Sequence, residues 1–263
     1  DERGLARFEE VGCAIMKTPL NGHMASICAN LDALGIAWED WDNETLSKRL
    51  PIYDLHSYAP AKLPDDPGFG EATGPSMHGA IFTPQAGYIS DPQLATHNVQ
   101  VAAEAAGGKF RFNCDVIAIR QMNGRACGIT LANGDEIDAA VVVNVAGPHS
   151  SKVNELAGVA ESMTIKTRAL RQEVVHLPSP DGFDYMTHGP VTSDSDISCY
   201  SRPEVGNHIL FGSEDPECDE REWVDPDNYN TEFTAQWQTQ ALRAGQRIPS
   251  LKIPNQATGV ASL

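Results

Sequence analysis

The sequence predicts a mixed fold, α/β plus α+β, and three observations carry this. Within Ile137–Ser151, the run Val141–Val145 is β-branched except for Asn144, the composition of a strand buried on both faces. It ends on Ala146-Gly147-Pro148, where side-chain bulk disappears and regular structure breaks. An Ala-rich helix, a strand and two tight turns precede it, which is a supersecondary order and not a list of unrelated elements. After Leu156 the pattern changes to strands separated by polar turns, the mark of an antiparallel sheet. In open α/β sheets ligands bind at the carboxyl ends of strands. The small-residue end of this strand, with Ser150 or Ser151 capping a short helix, therefore lets a ligand approach bare backbone. The alternative is an ordinary buried strand closed by a small-residue turn.

In chain order, Asp1–Glu10 reads as the end of an amphipathic helix and Val11–Met16 as a short buried strand. Met24, Ile27, Cys28, Leu31 and Leu34 recur at helical spacing, which predicts a helix over Asn21–Leu34 stopped by Gly35. Ile36–Trp41 is a strand candidate. Asp42 caps a helix over Asn43–Arg49, and Pro51 ends it. Tyr53–Ser76, rich in Pro, Gly, Asp and Ala, is a loop long enough to be functional or mobile. Gly79–Asp91 holds two short strands. Asp91 and Pro92 then cap and start a helix over Gln93–Ala106, whose Ala-rich face suits packing on a sheet and which Gly107-Gly108 ends. Lys109–Ile119 is a strand, Asn123-Gly124 a hairpin turn, Ala126–Leu131 the return, and Asn133-Gly134 a second turn. Thr164–Leu177, Ile197–Arg202 and His208–Gly212 are further strands, and Asp215–Asp227 is an acidic loop. Phe233, Trp237, Ala241 and Ala244 repeat at helical spacing within Asn230–Ala244.

With 263 residues, 41% hydrophobic and 21% charged, the chain can bury a sizeable core in one large domain or two smaller ones. A net charge of −17 argues against nucleic acid and against anionic membrane surfaces as partners, because phosphates need clustered Lys and Arg. No apolar run reaches the roughly 18 residues of a membrane span. The six cysteines form no C-x-x-C pair and no zinc-spaced cluster, so reduced thiols and a cytoplasmic location are expected. The chain opens inside a helix-like segment and stops in the apolar Thr258–Leu263, and both ends are expected to continue into something longer.

A set of motifs in order now carries more than any one of them. Gly79 with Gly87-Tyr-Ile-Ser-Asp-Pro92, the Ala-rich helix, Gly107, Asn113-Cys-Asp-Val116, the hairpin and Val142–Gly147 together resemble the D-amino-acid-oxidase-like flavoproteins. The nearest members in pattern are sarcosine, dimethylglycine and glycine oxidases and dehydrogenases. Tyr200-Ser-Arg-Pro203 with Gly206, Ile209–Gly212, Asp225-Pro-Asp227 and Phe233 resemble the sarcosine-oxidase substrate domain. The resemblance implies a partial FAD-binding, Rossmann-like domain with an antiparallel-sheet substrate domain. It divides the chain into residues 1–78 (part of the substrate domain with the long loop), 79–158 (part of the FAD-binding domain) and 159–263 (substrate sheet and C-terminal helix).

The resemblance further implies FAD as cofactor and oxidation of a C–N bond in a small amine or N-methyl amino acid by hydride transfer. Val116 matches the residue that holds the adenine through its backbone, and Ala146 and Gly147 match the small strand end beside the ribose and pyrophosphate. The G-x-G-x-x-G fingerprint and the C-terminal glycine-rich segment of these flavoproteins are not in the sequence. The remaining segments of the same flavoprotein are therefore expected partners of this stretch, together with the small-molecule substrate. Without the helix N-terminus that binds pyrophosphate, tight FAD binding by this stretch alone is not expected.

Tyr200 matches a substrate-facing tyrosine, and Arg202 is a candidate for a substrate carboxylate. Glu214 stands where such enzymes often place a histidine; a carboxylate there repels a substrate carboxylate and suits a cationic amine. The alternatives are a core tyrosine, a solvated arginine and a solvated acid. His176, His188 and His78 are candidate acid–base groups, each with a structural alternative, and Trp38, Trp41, Trp223 and Trp237 read as packing residues. Two further readings stand beside the amine-oxidising enzyme: a flavin-free scaffold of the same fold, and a flavoprotein hydroxy-acid oxidase.

Overall fold

Gln172–Pro178 alternates buried Glu173, Val175 and Leu177 with half-buried neighbours, the signature of a strand with one face covered. The same alternation runs through the strands beside it and fixes which side of the main sheet is core. The computed structural model describes residues 6–21 and 24–263. In chain order the elements are β1 (Phe8–Glu10), β2 (Cys13–Met16), α1 (Met24–Leu34), β3 (Glu39–Trp41), α2 (Asn43–Arg49), β4 (His56–Ser57) and β5 (Gly74–Ser76). Then follow β6 (Ala80–Thr83), β7 (Gly87–Ile89), α3 (Pro92–Ala105), β8 (Val116–Met122), β9 (Arg125–Leu131), β10 (Glu136–Asp138), α4 (Ser150–Leu156) and β11 (Ala169–Leu170). Last come β12 (Gln172–Pro178), α5 (Tyr185–His188), β13 (Val191–Asp194), β14 (Cys199–Glu204), β15 (His208–Ser213), β16 (Trp223–Val224), α6 (Ala235–Arg247) and β17 (Gly259–Ser262).

The chain falls into two units. One comprises Asp1–Asn98, Gln172–Arg221 and Thr231–Ser262; the other comprises Val99–Arg171, Glu222–Asn230 and Leu263. The first is built on an eight-stranded sheet of order β17-β12-β15-β14-β13-β2-β6-β3. All its pairs are antiparallel except β13 with β2. Ala14, Met16, Trp41, Val175, Leu177, Ile209 and Phe211 join Leu46 of α2, Tyr185 of α5 and Trp237, Ala241 and Ala244 of α6 in one core. Helix ends follow the sequence: Asp42 accepts from the Thr45 N–H, and the Thr234 hydroxyl caps α6.

Beneath this core face lies a buried ion cluster. Arg247, 1% exposed, reaches Asp194 at 2.7 Å and Asp196 at 2.9 Å. It also donates to the carbonyls of Asp54 and His56. Asp196 accepts from the Ser57 hydroxyl and the Tyr58 N–H. The Tyr53–Ser76 stretch is thus tied to the sheet through Asp196 and Arg247, and β4 and β5 pair within it.

The second unit is organised on the meander β10-β9-β8. Asn123 and Gly124 both have positive φ, as a tight two-residue hairpin turn requires, and Gly134 turns the chain again.

Several expected elements differ. Val141–Val145 is not a strand: no ladder partner pairs with it among the described residues, and Val141, Val143 and Val145 are 73%, 72% and 86% exposed. Its half-buried side is held by Asn144, whose amide donates to the Ser150 carbonyl and to Asn154. The strand expected from Lys109 begins only at Val116, because Asn113 adopts a left-handed φ of 54° that breaks the extended chain. Phe110 and Phe112 stack on each other in solvent-exposed positions. Phe8–Glu10 is a strand paired with β7, not a helix end, and Asp1–Leu5 lie outside the described residues. Gly87 makes that pairing close, since a Cβ there would come 2.8 Å from the Glu9 carbonyl carbon. Helix α3 buries no residue, so among the described residues no sheet covers its Ala-rich face. The apolar C-terminal stretch forms β17 against β12. All six cysteines are free thiols, and among the described residues no helix is long and apolar enough to cross a membrane.

Candidate active site

Directly opposed residues in antiparallel strands point to the same side of a sheet. Register therefore defines the second face of the main sheet, the one the core helices do not cover. Tyr200 of β14 opposes Gly212 of β15 and Ser193 of β13. Arg202 opposes Leu210, and Glu204 opposes His208. His176 of β12 opposes Leu210 from the other side. Glu214, two residues beyond Gly212, continues the same side.

Gly212 is the position that fixes the tyrosine. A Cβ there would fall 2.6 Å from Tyr200 Cε1 and closer still to Cζ and the hydroxyl. The ring of Tyr200 thus lies against bare backbone. Burial pushes the Tyr200 phenol above its ordinary range, opposed by the nearby Arg202 charge.

Glu214 lies on the same side of the sheet, anchored to β13 and to the turn before β14. Its carboxylate Oε1 accepts a hydrogen bond from the Ser193 hydroxyl at 2.7 Å, and its N–H donates to the Ser198 carbonyl at 3.0 Å. Burial raises its carboxyl pKa, and the Asp194 charge adds to the rise against the Ser193 hydrogen bond. Arg202 stacks 4.6 Å from the ring centroid of Tyr88, pairs through Nη2 with Glu204 at 2.9 Å, and donates through Nη1 to the Pro203 carbonyl. The structure thus brings Tyr200, Glu214 and Arg202 together on one face.

Of the other titratable candidates His176 shares this face, and His188 and His78 lie elsewhere. Burial lowers the His176 pKa, so the ring on this face favours its neutral form. His188 ends α5 and packs its ring against Phe183. His78 lines a cleft of about 410 Å³ with Lys17, Ser57, Thr73 and Asp196. Trp41 and Trp237 are buried, whereas Trp223 is exposed beneath the Arg168 guanidinium.

The second unit holds the residues expected to face a cofactor. Val116 is the first residue of β8 and opposes Leu131. The Ala146 N–H donates to Asn144 Oδ1 and leads into a 3-10 turn over Gly147–His149. Gly147 is exposed with φ +55°, and no atom lies within 4 Å of where its Cβ would stand. A left-handed, uncovered glycine offers backbone to a ligand without steric cost, which fits a dinucleotide passing this turn.

Sequence reasoning passed over Ser193 and Glu204, and quoted Tyr88 and Gly212 only as motif residues without a role in the site. Gly212 carried a signal, since glycine inside a strand marks close approach by another group. Ser193 had none, because only the register places it, and the motif around Tyr88 did not disclose its contact with Arg202.

Comparison with known proteins gives a consistent fold. The model of the family described as DAO, FAD dependent oxidoreductase, matches residues 26–260. L-proline dehydrogenase from P. horikoshii superposes with a TM-score of 0.70 at 18% identity, covering 99% of this chain and 62% of that one. Glycine oxidase from Bacillus cereus ATCC 14579 gives 0.62 at 16% identity, covering 97% and 60%. Iminodiacetate oxidase from Chelativorans sp. BNC1 gives 0.59 at 17% identity, also covering 97% and 60%. At these identities the likeness is one of fold, and the chain spans only 60–62% of the length of these structures. No curated protein sequence matches the chain.

Proposed function

Because the chain belongs to the DAO family of FAD-dependent oxidoreductases, we propose that its protein oxidises the C–N bond of a small amine or N-methyl amino acid, with hydride transfer to FAD. The observation that carries this reading is the sheet face that the core helices do not cover, on which Tyr200, Glu214 and Arg202 all stand, while the opposite face is filled by the core.

Bound FAD supplies the two-electron acceptor for the hydride. Val116 through its backbone, and Ala146 and Gly147 at the uncovered turn, would hold the adenosine and pyrophosphate part of the cofactor. Hydride loss from carbon requires a neutral amine nitrogen. Glu214, made a stronger base by burial, accepts the ammonium proton at its carboxylate oxygen and leaves that neutral amine. Tyr200 donates its hydroxyl to the substrate from a ring held flat by Gly212.

The test is anaerobic mixing of the flavin-loaded protein that carries this sequence with L-proline, glycine, iminodiacetate, simple amines and 2-hydroxy acids. Bleaching of the visible flavin band by amines or amino acids is expected. Bleaching by 2-hydroxy acids alone assigns the hydroxy-acid reaction instead, and failure to hold FAD removes the enzymatic reading.

A further inference from the structure

We propose that the sheet face opposite the core selects cationic amines that carry no carboxylate beside the nitrogen. This rests on the proposed amine oxidation at the same site and narrows its substrate class.

The argument turns on charge. An amino-acid substrate needs a cation for its carboxylate, best supplied by the planar fork of an arginine. Across β12, β13, β14 and β15 the only Arg or Lys is Arg202. Its guanidinium already pairs with Glu204, donates to the Pro203 carbonyl, and lies on the ring of Tyr88. Its charge is matched within the protein, and its position is fixed by three contacts. His176, the imidazole opposite Leu210, is driven toward its neutral form by burial and does not replace it.

On the other side of Tyr200 the sign reverses. The Glu214 carboxylate is oriented by Ser193, the direct cross-strand neighbour of Tyr200. Asp215 follows it, held by the Gln172 amide at 2.5 Å. A carboxylate brought beside Tyr200 meets these acids, while the arginine of these strands, Arg202, is already matched and Arg221 donates to the Asp215 carbonyl at 3.3 Å. An ammonium group meets a charge-assisted acceptor at Glu214, and its carbon substituents meet the flat ring of Tyr200 on Gly212.

The experiment compares matched pairs that differ only by the carboxylate: pyrrolidine with L-proline, and dimethylamine with sarcosine. Flavin reduction is followed by anaerobic stopped flow on the flavin-loaded protein. Each amine is expected to half-saturate reduction at a concentration at least about tenfold below that of its amino-acid counterpart. Glu214→Gln should weaken apparent amine affinity by about tenfold to a hundredfold, the range for a lost charge-assisted hydrogen bond. Glu204→Gln, which frees Arg202, should instead strengthen L-proline binding. Ser193→Ala, which keeps the carboxylate but releases its orientation, should weaken amine binding several-fold and serves if Glu214→Gln does not fold.

Wild-type preference for L-proline or sarcosine overturns the proposal while leaving amine oxidation intact. So does amine affinity unmoved by both Glu214→Gln and Ser193→Ala. Flavin reduction by 2-hydroxy acids alone removes the underlying reading, and with it this one.

Discussion

Replacing Gly212 with Ala tests how the site is built. A Cβ at this position would sit 2.6 Å from Tyr200 Cε1, whereas non-bonded carbons settle near 3.5–4.0 Å. An overlap of this size cannot be absorbed by small adjustments, so the ring must leave. Tyr200 is 37% exposed, and it can swing toward solvent without disturbing the core on the opposite face. A tyrosine buries roughly 150–250 Å² when packed. Giving up half of the buried part removes about 60–80 Å² of contact, or about 1.5–2 kcal/mol at ~25 cal/mol per Å². Alanine returns about 0.5 kcal/mol through its lower unfolded-state entropy. The net expectation is a loss of about 1–1.5 kcal/mol in urea unfolding, with a fall in flavin-reduction rate of at least about tenfold. A double-mutant cycle isolates the cause. In a Tyr200→Ala background the same Gly212→Ala change should be neutral or slightly stabilising, because nothing remains to clash. If the two changes are additive, Tyr200 does not rest on Gly212 and the reasoning is refuted.

Other perturbations follow from the same framework. Arg247→Ala leaves Asp194 and Asp196, 2% and 0% exposed, without their cation, and should cost about 3–5 kcal/mol by urea denaturation; an unchanged midpoint would mean that the cluster is solvated. Asp42→Ala removes the acceptor for the Thr45 N–H at the start of α2 and should lower the midpoint in the same assay, with no change in substrate preference. Glu214 contributes a pH slope of defined sign. Its folded carboxyl titrates above the ordinary 4.5, so the fold favours its protonated form, and that contribution is lost as pH rises from about 4.5 through the folded value. Glu214→Gln should therefore gain stability relative to wild type as pH rises across that window, and parallel stability curves would show that the carboxyl is not perturbed.

What the sequence disclosed depended on whether the determining contacts were local. Asp42 before a helical pattern, Gly35 after one, and Asn123-Gly124 between strands all act within a few residues, and each appears where expected. The antiparallel sheet after Leu156 was legible from its alternation, and Tyr200 from a motif in order. Val141–Val145 shows the opposite case. Its composition states that both faces suit burial, but burial is conferred by neighbouring strands, and among the described residues none pairs with it. Glu214 was ambiguous for a related reason. A solvated acid and a seated one look alike in sequence, and only the register that sets Ser193 beside Tyr200 tells them apart. Arg202 matched its motif, yet its partners Tyr88 and Glu204 were invisible as partners until β7 and β14 were placed.

The net charge of −17 acquires a more specific meaning from the placement of the cations. Arg171, Arg243 and Arg247 are each 1% exposed, and each is paired with carboxylates: Glu222, Asp219 at 2.6 Å, and Asp194 with Asp196. Arg202 is matched by Glu204. These four arginines are thus consumed in fixing loops and strands to one another, and Glu214, on the same sheet face as Tyr200, is paired with none of them. A low-dielectric sheet surface carrying net negative charge raises the local concentration of cations and lowers that of anions. On the proposed reading, the interactions that hold the main sheet together leave Glu214 on the face opposite its core with the sign that favours an ammonium group.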